Sequence, residues 1–245
     1  MKNFNIIMMK MNAISIEKTS ILALIVILVA AMSSCSEKIT DFGFDGQISG
    51  MVLDQNGNPV SGDITNAALT VFLLGDEDRV PLEVRVQGDG SYANLHLYPQ
   101  SYTVWIEGPV DGPGEGEMVL NLSGPVEQNI TVTPFLVISE PTASVSGNEL
   151  TVNYDISPST GHTAAERRIL VSTVAKVGVN TGSGPRYITR TITVNTNSGS
   201  ANLTLDSDLL DMAEARGGGD LTIRVAARSD QTSDWNYSVP IVVDP

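Results

Sequence analysis

Residues 149–156 read Glu-Leu-Thr-Val-Asn-Tyr-Asp-Ile, with apolar and polar side chains in strict alternation. Only an extended strand gathers Leu150, Val152, Tyr154 and Ile156 on one face, because successive side chains of a pleated ribbon point to opposite sides. The same period of two returns at residues 46–54, where Ile48, Gly50 and Val52 share a face, and at 221–227 and 239–243. Turn pairs stand close by: Asn56-Gly57, Asp89-Gly90 and Gly147-Asn148. Short alternating strands separated by such turns predict an all-β chain. One helix is expected, over residues 206–216, started by acidic residues and stopped by Gly217.

The strands fall into two groups. Residues 44–133 hold strands at 46–54, 69–74, 82–86, 118–122 and 129–132, with one more leading in from Leu95 to Ile106. A Gly- and Pro-rich loop occupies 108–117. Residues 134–245 hold strands at 149–156, 168–174, 187–194, 201–205, 221–227 and 239–243. Each group is the size of a β-sandwich, so two sandwich modules in tandem are expected. The chain contains a single cysteine, Cys35, so no disulfide can form within it and each module must stand on its core. The formal net charge of −14 makes nucleic acid and anionic surfaces poor partners.

Upstream lies a segment of another kind. Residues 21–31 are an uncharged apolar run, preceded by Lys2, Lys10 and Lys18 and followed by Met32-Ser33-Ser34-Cys35. A basic leader, a short apolar core and a small-residue exit form an export signal, too short for the ~20 residues that span a bilayer. Met32-Ser-Ser-Cys35 resembles the bacterial lipobox, with Met in place of the usual Leu. The resemblance implies a signal peptide over 1–34, cleavage before Cys35, acylation of its thiol and a lipidated tether over 35–43. Ser36 at the next position, where Asp would retain a lipoprotein at the inner membrane, implies the outer membrane, with exposure at the cell surface a further option.

Two further resemblances concern the modules. The run 46–62, Gly-Gln-Ile-Ser-Gly-Met-Val-Leu-Asp-Gln-Asn-Gly-Asn-Pro-Val-Ser-Gly, then Asp89-Gly-Ser-Tyr92, then Leu97-Tyr-Pro-Gln-Ser-Tyr-Thr-Val104, resembles the carboxypeptidase-regulatory, transthyretin-like β-sandwich. Gln100 stands where that family has Gly, which predicts strain if the turn needs a positive φ. Residues 221–229, the loop with Trp235-Asn-Tyr237 and the strand 238–243 are similar to the end of an immunoglobulin or fibronectin type III sandwich. The whole order of lipobox, first module, join and terminal sandwich resembles Bacteroidota lipoproteins carrying the domain of unknown function 3823. That implies a non-catalytic accessory of a starch-utilisation-type glycan-uptake system, partnered by an outer-membrane transporter and a glycan-binding lipoprotein. It transfers no functional residue. An adhesion or envelope-assembly module without a ligand is the alternative.

No catalytic residue, metal site or cofactor is expected. Residues 54–58 begin like a calcium loop, but Pro59 and Thr65 occupy positions that need Gly and a bidentate Glu, so a plain turn is expected. The acidic tips at 76–78 and 111–117 read as solvated loops. The glycine-rich stretch 112–116 lacks Lys and carries Glu, which disqualifies it as a phosphate loop. His96 and His162 fall in different modules without clustered ligands. Trp235 and Tyr237, in a polar loop, are the candidate ligand-binding residues: aromatic faces and neighbouring amides suit sugars. The competing reading, a ring covering the end of the sandwich core, takes precedence in a chain with 5% aromatic residues. Tyr98, Tyr102 and Trp105 are expected in the core or rim of the first module.

Overall fold

The first strand shows how the alternating pattern becomes a sandwich. In β1 (Gly46–Leu53) the side chains of Ile48 and Val52 are fully buried. Gly50 lies between them because that space is taken: a Cβ there would lie 1.8 Å from the carbonyl oxygen of Gln128. That oxygen accepts the Tyr92 hydroxyl at 2.6 Å, so the strand, its neighbour and the returning chain close over one another.

A computed structural model describes residues 43–63, 65 and 68–245. The export signal, the cleavage site, Cys35 and the tether up to residue 42 lie outside the described residues. The chain continues through β2 (Thr70–Gly75), β3 (Leu82–Arg85), β4 (Ser91–Leu97), β5 (Gln100–Glu107), β6 (Val110–Asp111), β7 (Met118–Leu122), β8 (Pro125–Glu127), β9 (Ile130–Thr131) and β10 (Thr133–Pro134). It then runs through β11 (Leu136–Ile138), β12 (Thr142–Ser146), β13 (Glu149–Pro158), β14 (Ala164–Ser172), β15 (Thr189–Thr193), β16 (Ser198–Thr204), α1 (Ser207–Ala215), β17 (Leu221–Ser229), β18 (Trp235–Tyr237) and β19 (Ile241–Val243). The fold is all-β.

In the first module β1 pairs antiparallel with β4 and, on its other edge, parallel with β8 and then β9. A second, antiparallel sheet runs β3-β2-β5-β7. Ile48, Val71, Leu73, Tyr102, Val104 and Leu122 are among the residues that fill the core. Gln100 is extended at the head of β5, opposite Leu122, so the expected positive-φ strain does not arise. Its amide instead fastens the acidic turn: Nε2 donates to Asp78 Oδ2 at 3.2 Å, and Oε1 accepts the Glu77 N–H at 3.3 Å.

In the second module β13 carries β11 and β12 along one edge and β16 along the other. The facing sheet runs β15-β14-β17, with β18 and β19 on the outer edge of β17. The alternation of residues 149–156 is preserved: Leu150, Val152, Tyr154 and Ile156 are buried and the residues between them are not. β17 departs from it. Thr222, Arg224 and Ala226 are buried as well as Leu221, Ile223 and Val225, so both faces of this strand are covered. Residues 235–237, expected in a loop, form β18 on this strand.

The helix forms where the sequence signals it. Asp206 is its N-cap, accepting the Leu209 N–H at 2.9 Å, and Arg190 grips both carboxylate oxygens at 2.8 and 3.0 Å. Leu209 and Ala213 face the core, and Gly217 follows the C-cap with φ of 95°. The Arg190 side chain, with the Leu209 N–H, holds the Asp206 carboxyl below the usual carboxylate range. Its stabilisation is therefore complete above the unfolded value near ~4 and is lost as pH falls through the lower folded value. Asp206→Ala should cost about 1 kcal/mol at pH 7, and the difference from the native chain should shrink in acid denaturation below about pH 4.

Candidate functional site

Trp235 and Tyr237 both point onto the outer face of the β14–β17 sheet. β18 pairs with β17 so that Trp235 lies opposite Arg228 and Tyr237 opposite Ala226. Both rings are buried, 7% and 5% exposed, in a small cluster with Leu170, Val177 and Ala226. The guanidinium of Arg168 lies 4.8 Å from the Trp235 ring centre and that of Arg228 lies 6.0 Å away, and Glu166 pairs with both arginines. Of the two readings of these rings, the buried one matches their exposure, although they cover the outer face of a sheet and not the end of the core. Strand pairing turns the rings onto the sheet, and the cations cover what would have been a sugar-stacking face.

Tyr237 leads into the junction between the modules. Its hydroxyl donates to Asp63 Oδ2 at 2.7 Å and accepts the Val179 N–H at 3.3 Å. Asp63 also accepts the N–H and hydroxyl of Thr65, at 2.9 and 2.6 Å. Beside them Arg224, 4% exposed, donates to the carbonyls of Ser238 and Val177 at 3.0 and 2.9 Å. Its far nitrogen reaches the first module, donating to Ser61 Oγ at 2.5 Å and to the Gly62 carbonyl. The guanidinium lies 4.2 Å from the Tyr237 ring centre. Burial lowers the Arg224 pKa to about 10, with Asp63 opposing the shift, so the group is charged at neutral pH. Burial and the neighbouring Asp63 carboxylate push the Tyr237 phenol up, so it donates its proton.

Two more contacts close the seam. Asn236 Nδ2 donates to the Pro109 carbonyl at 3.0 Å, and its Oδ1 accepts the Leu136 N–H at 3.1 Å. The linker crosses here, with the Phe135 N–H on the same Pro109 carbonyl and the Phe135 ring stacked on His162 at 4.1 Å. Gly178 packs so tightly that a Cβ would lie 2.1 Å from Asp63 Oδ2. Among the described residues no buried side-chain nitrogen or oxygen lacks a partner. A fully satisfied buried network of this kind fixes one relative orientation, whereas a partly satisfied one would destabilise it.

A cleft of about 290 Å³ opens along the seam, lined by Asp54, Pro59, Leu136, Ile138, Glu140 and Val239 among others. Its polar groups are largely committed. Asp54 accepts the N–H groups of Asn56 and Asn58, each at 2.8 Å, and the Asn58 side chain at 3.0 Å. The loop that begins like a calcium site is thus an Asx turn whose carboxylate serves its own backbone. His162 Nδ1 lies 3.1 Å from Ser229 Oγ, far in sequence and module from His96. Among the described residues no three His, Cys, Asp or Glu side chains converge as a metal-binding group.

Exposed rings occur at the other end of the first module. Tyr102 and Trp105 are buried, the latter stacked on Phe72 at 5.2 Å, but Tyr98 is 54% exposed. Its ring centre lies 4.6 Å from that of Phe44, which meets His96 edge-on at 6.4 Å. This trio sits where the chain enters β1 and where β4 turns into β5. No sequence pattern isolates it, because the three residues come from two segments joined by sheet pairing.

No family model and no curated protein matches the sequence. Solved structures do. A DUF3823 family protein from Bacteroides ovatus superposes with a TM-score of 0.65 at 20% identity, over 82% of this chain and 98% of that one. Another from Parabacteroides merdae gives 0.62 at 22% identity, over 81% and 98%. A Bacteroides uniformis protein described as "a putative carbohydrate binding protein" gives 0.65 at 21% identity, over 83% and 100%. At these identities the likeness is one of architecture: the chain has the all-β fold of the DUF3823 family proteins.

Proposed function

We propose that this chain is a non-catalytic lipoprotein, held at the outer membrane through acylated Cys35. It would serve as an accessory of a starch-utilisation-type glycan-uptake system, presenting its two sandwiches to glycan or to partner proteins. The observation that carries the reading is the seam. Arg224, Asp63, Tyr237 and Asn236 spend their polar groups on joining the modules, which suits a rigid presenter of surfaces. The fold shared with a Bacteroides uniformis protein described as carbohydrate-binding supports glycan as the ligand class. The burial of Trp235 and Tyr237 favours a second reading, an adhesion or envelope-assembly module with no ligand of its own.

Labelling cells with a palmitate analogue tests the anchor. The native chain should take up label and sediment with outer-membrane vesicles. Cys35→Ser should abolish both. Cross-linking in cells grown on the cognate glycan should then capture a transporter and a glycan-binding lipoprotein. An unlabelled native chain in the soluble fraction would refute the anchored reading.

A further inference from the structure

The proposed function leaves open where a glycan would bind, and the buried Trp235 and Tyr237 cannot offer a face. The seam cleft is the first alternative. It has no exposed ring, and its Asp54 and Asn236 groups are bound to backbone and linker. The Phe72–Trp105 pair on the outer face of β2 and β5 is stacked ring on ring, with Trp105 only 8% exposed. The trio of Tyr98, Phe44 and His96 differs. Tyr98 stands out from the surface, is braced by the Phe44 ring, and has the exposed His96 imidazole beside it. Its backbone is fixed from below, where the buried Tyr102 hydroxyl donates to the Tyr98 carbonyl at 3.1 Å and accepts from Gln100 Nε2 at 3.1 Å.

We propose that Tyr98, Phe44 and His96 form a binding shelf for a neutral glycan. An exposed aromatic face braced from behind matches the apolar C–H face of a pyranose, while the imidazole and phenol can hydrogen-bond its hydroxyls. The charge around the shelf decides which glycans fit. Asp45 adjoins Phe44, and the turn that Gln100 fastens beside it carries Asp76, Glu77 and Asp78 against Arg79. Uronate or sulfate groups would be repelled, so the ligand is uncharged. The same charges decide against an anionic bilayer, since contact with anionic headgroups is made by Lys and Arg, and a zwitterionic one is left to the test below.

This inference rests on the glycan-binding form of the proposed function, and the experiment separates the two. The full chain carrying Cys35→Ser would be run by affinity electrophoresis through gels containing amylopectin, xylan, galactomannan, pectic galactan, polygalacturonate or chondroitin sulfate. At least one neutral polysaccharide should retard it and neither acidic one should. Tyr98→Ala should weaken that binding about ten-fold or more, Phe44→Ala should weaken it less, and Tyr98→Phe, which keeps the stacking ring and loses only the phenol hydrogen bond, should weaken it least. Tyr98 is exposed, so the thermal transition of each variant should match the parent and exclude misfolding. Undiminished binding by Tyr98→Ala would overturn the shelf and leave glycan binding intact. No retardation by any neutral glycan would overturn both. Tyr98-dependent flotation with phosphatidylcholine vesicles, without glycan binding, would assign the shelf to lipid and overturn the proposal.

Discussion

Replacing Arg224 with methionine is expected to destabilise the chain by about 3–5 kcal/mol and to uncouple its two modules. The substitution roughly keeps the volume of the side chain but leaves the carbonyls of Val177, Ser238 and Gly62, and Ser61 Oγ, without their donor inside the junction. Each stranded buried acceptor costs about 1–3 kcal/mol, softened wherever water enters. Asp63 would also lose the neighbouring Arg224 guanidinium, leaving its carboxylate held by Thr65 and Tyr237. Urea unfolding followed by tryptophan fluorescence and by circular dichroism measures both effects. The native chain should show one transition in which the two signals coincide. The variant should show two separated transitions, resolved by fluorescence because each module holds one tryptophan, Trp105 in the first and Trp235 in the second.

Trp235→Ala is expected to be comparably severe, about 3–5 kcal/mol, for a different reason. The ring is 7% exposed and packs with Leu170, Val177 and Ala226 under Arg168. Removing it leaves a cavity against Leu170 of β14 and Ala226 of β17, paired strands that cannot collapse inward, and frees two arginines that the ring faces. Glu166 would retain them at the surface, so little of the loss is electrostatic: these groups are about one-third exposed and their pairing is weak. A structural ring and a sugar-binding ring make opposite predictions here. A structural ring gives a lowered unfolding midpoint with unchanged glycan affinity in the molecules that remain folded, and that is the expected result. Loss of glycan binding at unchanged stability would restore Trp235 as a ligand contact.

Local alternation made much of this fold legible. Residues 149–156 and 46–54 show their buried faces in sequence, and Asp206 with Gly217 marks both ends of the helix, because these signals depend on a few neighbouring residues. β8, β11 and β12 carried no such signal. Pro125-Val-Glu, Leu136-Val-Ile and Thr142-Ala-Ser-Val-Ser become strands because a longer strand offers them an edge. The seam was hidden for a related reason. Arg224 occupies the outward position of an alternating strand, and it is buried by the Val177 loop, Tyr237 and Ser238 of its own module together with Ser61 and Gly62 of the other, 163 and 162 positions away. Trp235 and Tyr237 were identifiable as notable residues, but which side of the chain faces solvent depends on β18 pairing with β17. The aromatic shelf joins Phe44 to Tyr98 across two strands, and neither residue stands out in its own segment.

The buried seam is expected to make one rigid body of two sandwiches. Val119 in the first module and Val242 in the second are 64% and 62% exposed, and the chain has no cysteine besides Cys35. Spin labels on cysteines at these two positions, in a Cys35→Ser background, report the distance between modules by pulsed electron resonance. A single narrow distribution that broadens with Arg224→Met is the expected result. A broad or two-peaked distribution before Arg224 is touched would show that the seam does not hold the two sandwiches rigidly.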